Sequence, residues 1–361
     1  MPYKTLLQKS ILIILLILFL LSTVSYTSLA ASKGIILKDD IYISEENYNV
    51  SMNNIVLPYL DTIVSEGTLL GAANIQLYYR KYIVENSTAN IIIVHDSIEY
   101  IDKYDELIYY FAKCGYNVFI MEHRGTGRSD SLGSADKTQV NVDNADRYVS
   151  DLKKFINTVV INQDKDKKNF LFAHGIGAAV STKFLIENDN VFDAAILSSP
   201  MMDIISTEIP KNFIKFIADS AVFLGYGSEY VPGQDPYDIM QTLDSSGTTS
   251  SARFYYFYDF ELVNESVRRG GFSFRWLSEM LRTIKFITAK KNISKINTPV
   301  LIINTEKQSL FCSRYQKRFL KYSKNCTLIN SDSKRDIYRE KDSIQQPVIE
   351  SILHFYKEKL E

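Results

Sequence analysis

After a polar lead over residues 32–50, the chain alternates between short apolar runs and stretches whose apolar residues recur every three or four positions. Residues 66–70 and 74–84 alternate apolar and polar with period 2, which predicts a hairpin at a sheet edge. Solid apolar runs follow at Asn90–His95, Asn117–His123, Phe170–His174, Ala194–Ser198, Val300–Asn304 and Thr327–Asn330. Uninterrupted apolar runs of that length are how strands buried on both faces read. Between them, 103–115, 143–160, 177–187, 311–322 and 344–359 carry helical spacing. Strand and helix in regular alternation predict an α/β protein with a mostly parallel, doubly wound sheet. The rhythm breaks after Pro200 and resumes near Ser294, across an aromatic-rich segment that holds the only tryptophan, Trp276. We therefore expect a core built from 50–200 and 295–361, with 201–294 inserted as a helical lid.

The first thirty residues carry a different signal. Lys4 and Lys9 precede an apolar run, Ile11 to Leu21, and small residues follow up to Ala30. A basic start, a short apolar middle and a small-residue end predict a secretory signal peptide over 1–30, with an uncleaved N-terminal anchor as the alternative. The expected destination is outside the cytoplasm: secreted, periplasmic or in the cell envelope. Forty-one basic residues against 42 acidic ones leave a net charge of −1, so no basic surplus exists to hold nucleic acid. The three cysteines exclude a disulfide scaffold, and Cys312 and Cys326 stand at opposite ends of a predicted helix about 18 Å long. A bridge needs Cα atoms within about 7 Å, so none is expected there.

Two motifs stand at strand ends. His123-Arg124-Gly125-Thr126-Gly127-Arg128-Ser129-Asp130 follows one strand, and Ala173-His174-Gly175-Ile176-Gly177 leads from another into a helix. The first lacks the third glycine of a nucleotide fingerprint, and no helix follows it at once. Together with His95 to Tyr104 and Leu197-Ser198-Ser199-Pro200-Met201, these stretches resemble the α/β-hydrolases of the lysophospholipase and monoacylglycerol lipase group. Arg253-Phe254, Gly270-Gly271 and Trp276 extend the likeness into the lid, and in all it spans about residues 50–360 in one order.

The resemblance implies an α/β-hydrolase fold and cleavage of glycerolipid acyl esters by a Ser, an Asp and a His, with the Ser on a sharp strand-to-helix elbow. The matching positions here are Gly175, Gln308 and Arg335. Glu306 replaces the acid only if the alignment slips by two residues. No histidine lies between His174 and His354. The family's His-Gly pair, whose loop lends an oxyanion-hole N–H, is His95-Asp96 here, and a carboxylate there opposes the charge that acyl transfer must develop. Ser97 and Ile176 are the candidate oxyanion donors. His95, Asp96, His174, Met201 and Trp276 are the candidate ligand-pocket residues, although His95, His123 and His174 also read as hydrogen-bonded strand-end residues.

The expectation is a lysophospholipase-like protein without hydrolase chemistry that binds an acyl lipid or lysolipid and associates with a membrane surface. The first alternative is an active esterase with another nucleophile, Ser198 or Ser199, for which the sequence shows no adjacent base. The second is an envelope interaction module with a protein partner. No metal-ligand spacing occurs, and no motif requires a cofactor.

Overall fold

The computed structural model describes residues 41–163, 166–203, 209–305 and 313–360. The predicted leader over 1–30, Glu306, Gln308 and Cys312 lie outside them. Among the described residues no helix is long and apolar enough to cross a membrane, and Cys114 and Cys326 are free thiols.

Eight strands form one sheet: β1 Val64–Leu70, β2 Gln76–Tyr82, β3 Ala89–Val94, β4 Tyr116–Met121, β5 Asn169–His174, β6 Ala194–Ser198, β7 Val300–Thr305 and β8 Cys326–Ser331. Their order is β1-β2-β4-β3-β5-β6-β7-β8. The period-2 segment forms the edge hairpin, with Val64 opposite Tyr82, and β2 runs antiparallel to β4. Every other pairing is parallel. The solid apolar strands are the central ones: every residue of β3, β4 and β6 is buried. Helices cover both faces of such a sheet, so no strand residue needs to be polar on alternate positions.

The helices used below are α1 Asp105–Lys113, α2 Asp146–Phe155, α3 Gly175–Glu187, α4 Lys211–Phe223, α5 Ser251–Val263, α6 Phe274–Ile287, α7 Ser313–Tyr322 and α8 Asp342–Leu360. The stretch 201–294 is not uniform. Its last helix, α6, packs on α3 and sends Trp276, Met280, Ile284 and Ile287 into the main hydrophobic core. In contrast, α4 leaves Phe213, Phe216 and Phe223 exposed. Helix α5 is pinned by one buried side chain: Arg253 donates to both oxygens of Glu106 on α1 at 2.8 and 2.7 Å and to the carbonyl of Glu340 at 2.9 Å.

The 123–130 motif is a braced loop. Its Arg124 is fully buried and bonds Asp151 of α2 through two nitrogens at 2.7 and 2.9 Å. Arg269 reaches in from the insertion and donates to the carbonyls of Gly125 and Gly127, at 2.9 and 2.7 Å.

Candidate functional site

Strand register builds the site. Val94 of β3 pairs with Ala173 of β5, so the residues two positions past each partner, Asp96 and Gly175, meet beyond the strand ends. Gly175 has φ +55°, in the left-handed region that glycine enters without strain, and this turn swings the chain directly into α3. Two residues later, Gly177 lies so close to the carbonyls of Val94 and His95 that a Cβ would collide with them. The sharp elbow of the resemblance is therefore intact in backbone form.

Its side chain is not. Both carboxyl oxygens of Asp96 lie 2.6 Å from the place a Cβ on Gly175 would occupy, closer than real Cβ contacts come. Asp96 Oδ1 accepts the Ser97 N–H at 2.8 Å and the Ile176 N–H at 2.9 Å. The two candidate oxyanion donors thus converge on a carboxylate of the same chain. The Asp96 Oδ2 faces Arg335 Nε at 3.7 Å. Arg335 therefore stands beside the elbow, at the position the resemblance gives to the catalytic base.

Beneath this pair lies a buried charge cluster. Arg335 and Arg339 both pair with Asp336, Arg335 Nε at 3.1 Å. Asp336 also faces His174 Nε2 at 3.5 Å. Glu99 accepts from the hydroxyls of Tyr104 and Tyr338, the latter at 2.6 Å, and from the Asp96 N–H at 3.0 Å. Burial works against ionising Asp336, but Arg335, Arg339 and His174 outweigh it and hold its carboxyl well below the usual range. Burial likewise disfavours the His174 imidazolium, and Asp336, Glu99 and Asp96 outweigh that and raise its pKa. Protonated, His174 joins two guanidiniums in balancing three carboxylates.

Ligand atoms of Glu99, His174 and Asp336 lie within 4.8 Å of one another. The set does not fit a metal: guanidiniums already hold Asp336, and hydroxyls and an N–H hold Glu99. A single proton on His174 completes the charge balance without one. The sign of the resulting pH dependence follows. A raised pKa in the folded protein contributes stability that is complete below the ordinary imidazole value of about 6.5 and is lost as pH rises through the raised value. The unfolding midpoint of the wild type should fall relative to that of His174→Gln as pH rises above about 6. A difference that does not change with pH would mean that folding leaves the imidazole's titration unaltered, and a rising one that burial keeps it neutral.

Three expected pocket residues are placed differently. His95 is fully buried: its Nδ1–H donates to the Asp96 carbonyl at 2.5 Å, and its Nε2 accepts the His123 N–H at 3.0 Å. Trp276 is 3% exposed and stacks on Phe272 at 4.0 Å between ring centroids. Met201 lies in the same hydrophobic core, and its N–H donates to the Gly175 carbonyl at 3.0 Å. Of the five pocket candidates, only Asp96 and His174 belong to the charged site. Beside it opens a cavity of about 120 Å³, lined by Glu99, Lys103, Phe257, Arg335, Asp336 and Arg339 among others. Pockets for drug-sized ligands run from about 300 Å³ upward.

One arrangement was invisible in the sequence. The β5–β6 register sets His174 opposite Ser198, and His174 Nδ1 comes within 3.3 Å of Ser198 Oγ. A base does therefore adjoin Ser198, and Asp336 adjoins that base. The order Ser198–His174–Asp336 has the roles of a catalytic triad, but its setting is wrong. The three residues are 1%, 0% and 1% exposed, so the Ser198 hydroxyl is closed to a substrate carbonyl. Ser199, at φ +44°, donates its hydroxyl to the Arg335 carbonyl at 2.7 Å and so fixes the arginine's backbone.

A family model described as serine aminopeptidase, S33 matches residues 85–332. A probable lysophospholipase L2 of Haemophilus influenzae is 29% identical over 308 residues, covering 83% of this chain and 94% of that protein. Lysophospholipase L2 of Escherichia coli K12 is 25% identical, covering 81% and 87%. Among solved structures, a soluble variant of monoglyceride lipase from Saccharomyces cerevisiae, in complex with a substrate analog, superposes with a TM-score of 0.66. It is 16% identical and covers 82% of this chain and 95% of its own, a likeness that shows the α/β-hydrolase fold.

Proposed function

Because this chain belongs to the serine aminopeptidase S33 family, in its lysophospholipase- and monoglyceride lipase-like group, we propose that it keeps the family's fold and lipid preference without the ester hydrolysis. The observation that carries this reading is the Asp96 carboxylate in the space of a nucleophile's side chain, at an elbow whose residue is Gly175. Arg335 adds to it. Burial opposes its charge, but Asp336, Asp96 and Glu99 outweigh that and push the guanidinium pKa above its ordinary value. Such a group takes no proton from an attacking hydroxyl. Losing the nucleophile or the base of a serine hydrolase costs about 10⁶-fold in kcat. The retained role is binding of an acyl lipid or lysolipid, outside the cytoplasm, where the basic and apolar N-terminal segment directs the chain.

The test uses protein recovered from the envelope or medium fraction, incubated with lysophosphatidylcholine and with monoacylglycerol. It should release no fatty acid, take no fluorophosphonate label and retain lysolipid in equilibrium dialysis. Recovery from the cytosol alone would remove the export step, and absence of lysolipid retention would remove the lipid ligand. The proximity of Ser198 to His174 favours a second reading, an esterase with a displaced triad. Fatty-acid release that Ser198→Ala abolishes would establish it in place of the first.

A further inference from the structure

At the hairpin edge of the sheet a cavity of about 320 Å³ opens between the short helix Leu57–Asp61, the β1–β2 hairpin and the start of α1. It shares no lining residue with the cavity beside the elbow. We propose that it binds an organic ammonium ion, a free primary amine with a short aliphatic body, held by the Asp61 and Asp105 carboxylates. The inference is independent of whether the elbow is catalytic.

The cavity lacks positive charge. Asp61, Glu66, Asp102 and Asp105 line it, and Arg80 is the one base among the described residues on its wall. Arg80 is already engaged: Nη1 donates to Asp102 Oδ1 at 3.1 Å, and Nε lies 3.8 Å from Glu66 Oε2. Arg128 takes the other Asp102 oxygen at 2.6 Å and is shared with Glu122 at 2.8 Å. Two guanidiniums thus face Glu66, Asp102 and Glu122 before Asp61 and Asp105 are counted. Asp105 is the sharpest case. It is 5% exposed, and its Oδ1 has no hydrogen-bond partner among the described residues. Buried oxygens are normally hydrogen-bonded, and an ammonium N–H would supply the missing donor. Burial and Asp102 push the Asp105 carboxyl well above its usual range, against Arg80 and Arg128. Tyr82 and Tyr256 also face it, and burial keeps both hydroxyls protonated at neutral pH. An arriving cation should reverse the Asp105 shift and release its proton.

The donor set suits an ammonium better than a metal ion. Calcium takes about six to eight oxygen ligands. Here both Asp102 oxygens are held by arginines, and Glu66 Oε2 accepts the Tyr78 hydroxyl. Asp61 and Asp105 remain, too few for calcium but enough for the N–H donors of one ammonium. Leu57, Leu60 and Val64 stand on the same wall and would remove an alkyl chain from water. A phosphate close to the nitrogen would be repelled by the same carboxylates, so the free amine fits and a phospholipid headgroup does not.

The experiment is a calorimetric titration of folded wild type, Asp105→Asn and Asp61→Asn with n-butylamine hydrochloride. Phosphoethanolamine and calcium chloride serve as competitors, and sodium chloride is the ionic control. Wild type should bind butylamine saturably, and each substitution should weaken binding by at least about tenfold, the loss expected when a charged hydrogen-bond partner is neutralised. Between about pH 6 and about pH 8 the alkylammonium stays charged, so the affinity of wild type should rise with pH as Asp105 ionises, and that of Asp105→Asn should not. Asp105→Asn keeps the shape of the side chain. If it fails to fold, the exposed Asp61→Asn carries the test. Wild type that shows no saturable binding overturns the proposal, as does binding that the folded variants leave unchanged, or a pH dependence common to wild type and Asp105→Asn. Tighter binding of phosphoethanolamine would give the cavity to a headgroup, and displacement of butylamine by equal calcium would give it to a metal ion. Either result overturns the free-amine assignment. No ester is present, so failure here leaves the non-catalytic reading of the elbow untouched.

Discussion

Gly175→Ser, Gln308→Asp and Arg335→His, combined in one protein, should release fatty acid from monoacylglycerol at least about 10²-fold more slowly than the same protein with Asp96→Gly added. The reasoning is steric and electrostatic together. A side chain at 175 has to enter space in which both Asp96 oxygens stand 2.6 Å from its Cβ. The donors that would stabilise the tetrahedral oxyanion are already used on Asp96 Oδ1. Removing a single oxyanion donor costs about 10²–10³ in kcat, and here both are taken. The same crowding should make Gly175→Ser alone cost about 3 kcal/mol, from a non-glycine residue at positive φ and from overpacking. Most of that loss should return in the background of Asp96→Gly, as the coupling of two touching positions requires. Urea unfolding of the four proteins of that cycle and a fatty-acid release assay read both effects. Activity in the triple variant that equals the quadruple would show that Asp96 does not block the site.

The second large effect lies at a distance from the elbow. Arg253→Ala should destabilise the protein by about 3–5 kcal/mol, the usual cost of stripping one partner from a buried ion pair. Arg253 is fully buried and Glu106 nearly so. Glu106 also accepts from the Tyr48 and Tyr110 hydroxyls at 3.0 and 2.7 Å, so the loss exposes a whole network to an unpaired charge. Arg253→Lys should recover little of it, because a lysine cannot present the planar fork that spans both Glu106 oxygens and the Glu340 carbonyl. Denaturant unfolding measures the difference, and a loss under about 1 kcal/mol would mean α5 is held mainly by its apolar contacts.

The strands were legible because each buried parallel strand is an unbroken apolar run bounded by polar residues, as at Asn90–His95, which forms β3 over Ala89–Val94. The elbow was legible because Gly175 and Gly177 follow such a run directly. What the sequence withheld is register. That Asp96 would fill the oxyanion hole, rather than stand near it, depends on Val94 lying opposite Ala173. That Ser198 would gain an imidazole neighbour depends on the next pairing, His174 with Ser198. Trp276 was misplaced for another reason: a lone tryptophan in an aromatic segment reads alike whether it lines a pocket or, as here, packs on Phe272 from the first turn of α6.

The interlocked acids and bases around Asp336 also bear on how readily the site can change. Arg335 serves Asp96 and Asp336 at once, and Asp336 in turn holds His174 and Arg339. Replacing any one of them strands a charged partner in the interior, so a single change toward catalytic chemistry weakens the fold before it yields a useful activity. The cluster therefore works as a ratchet: single substitutions within it are penalised by the partners they abandon, and only coordinated ones escape that penalty.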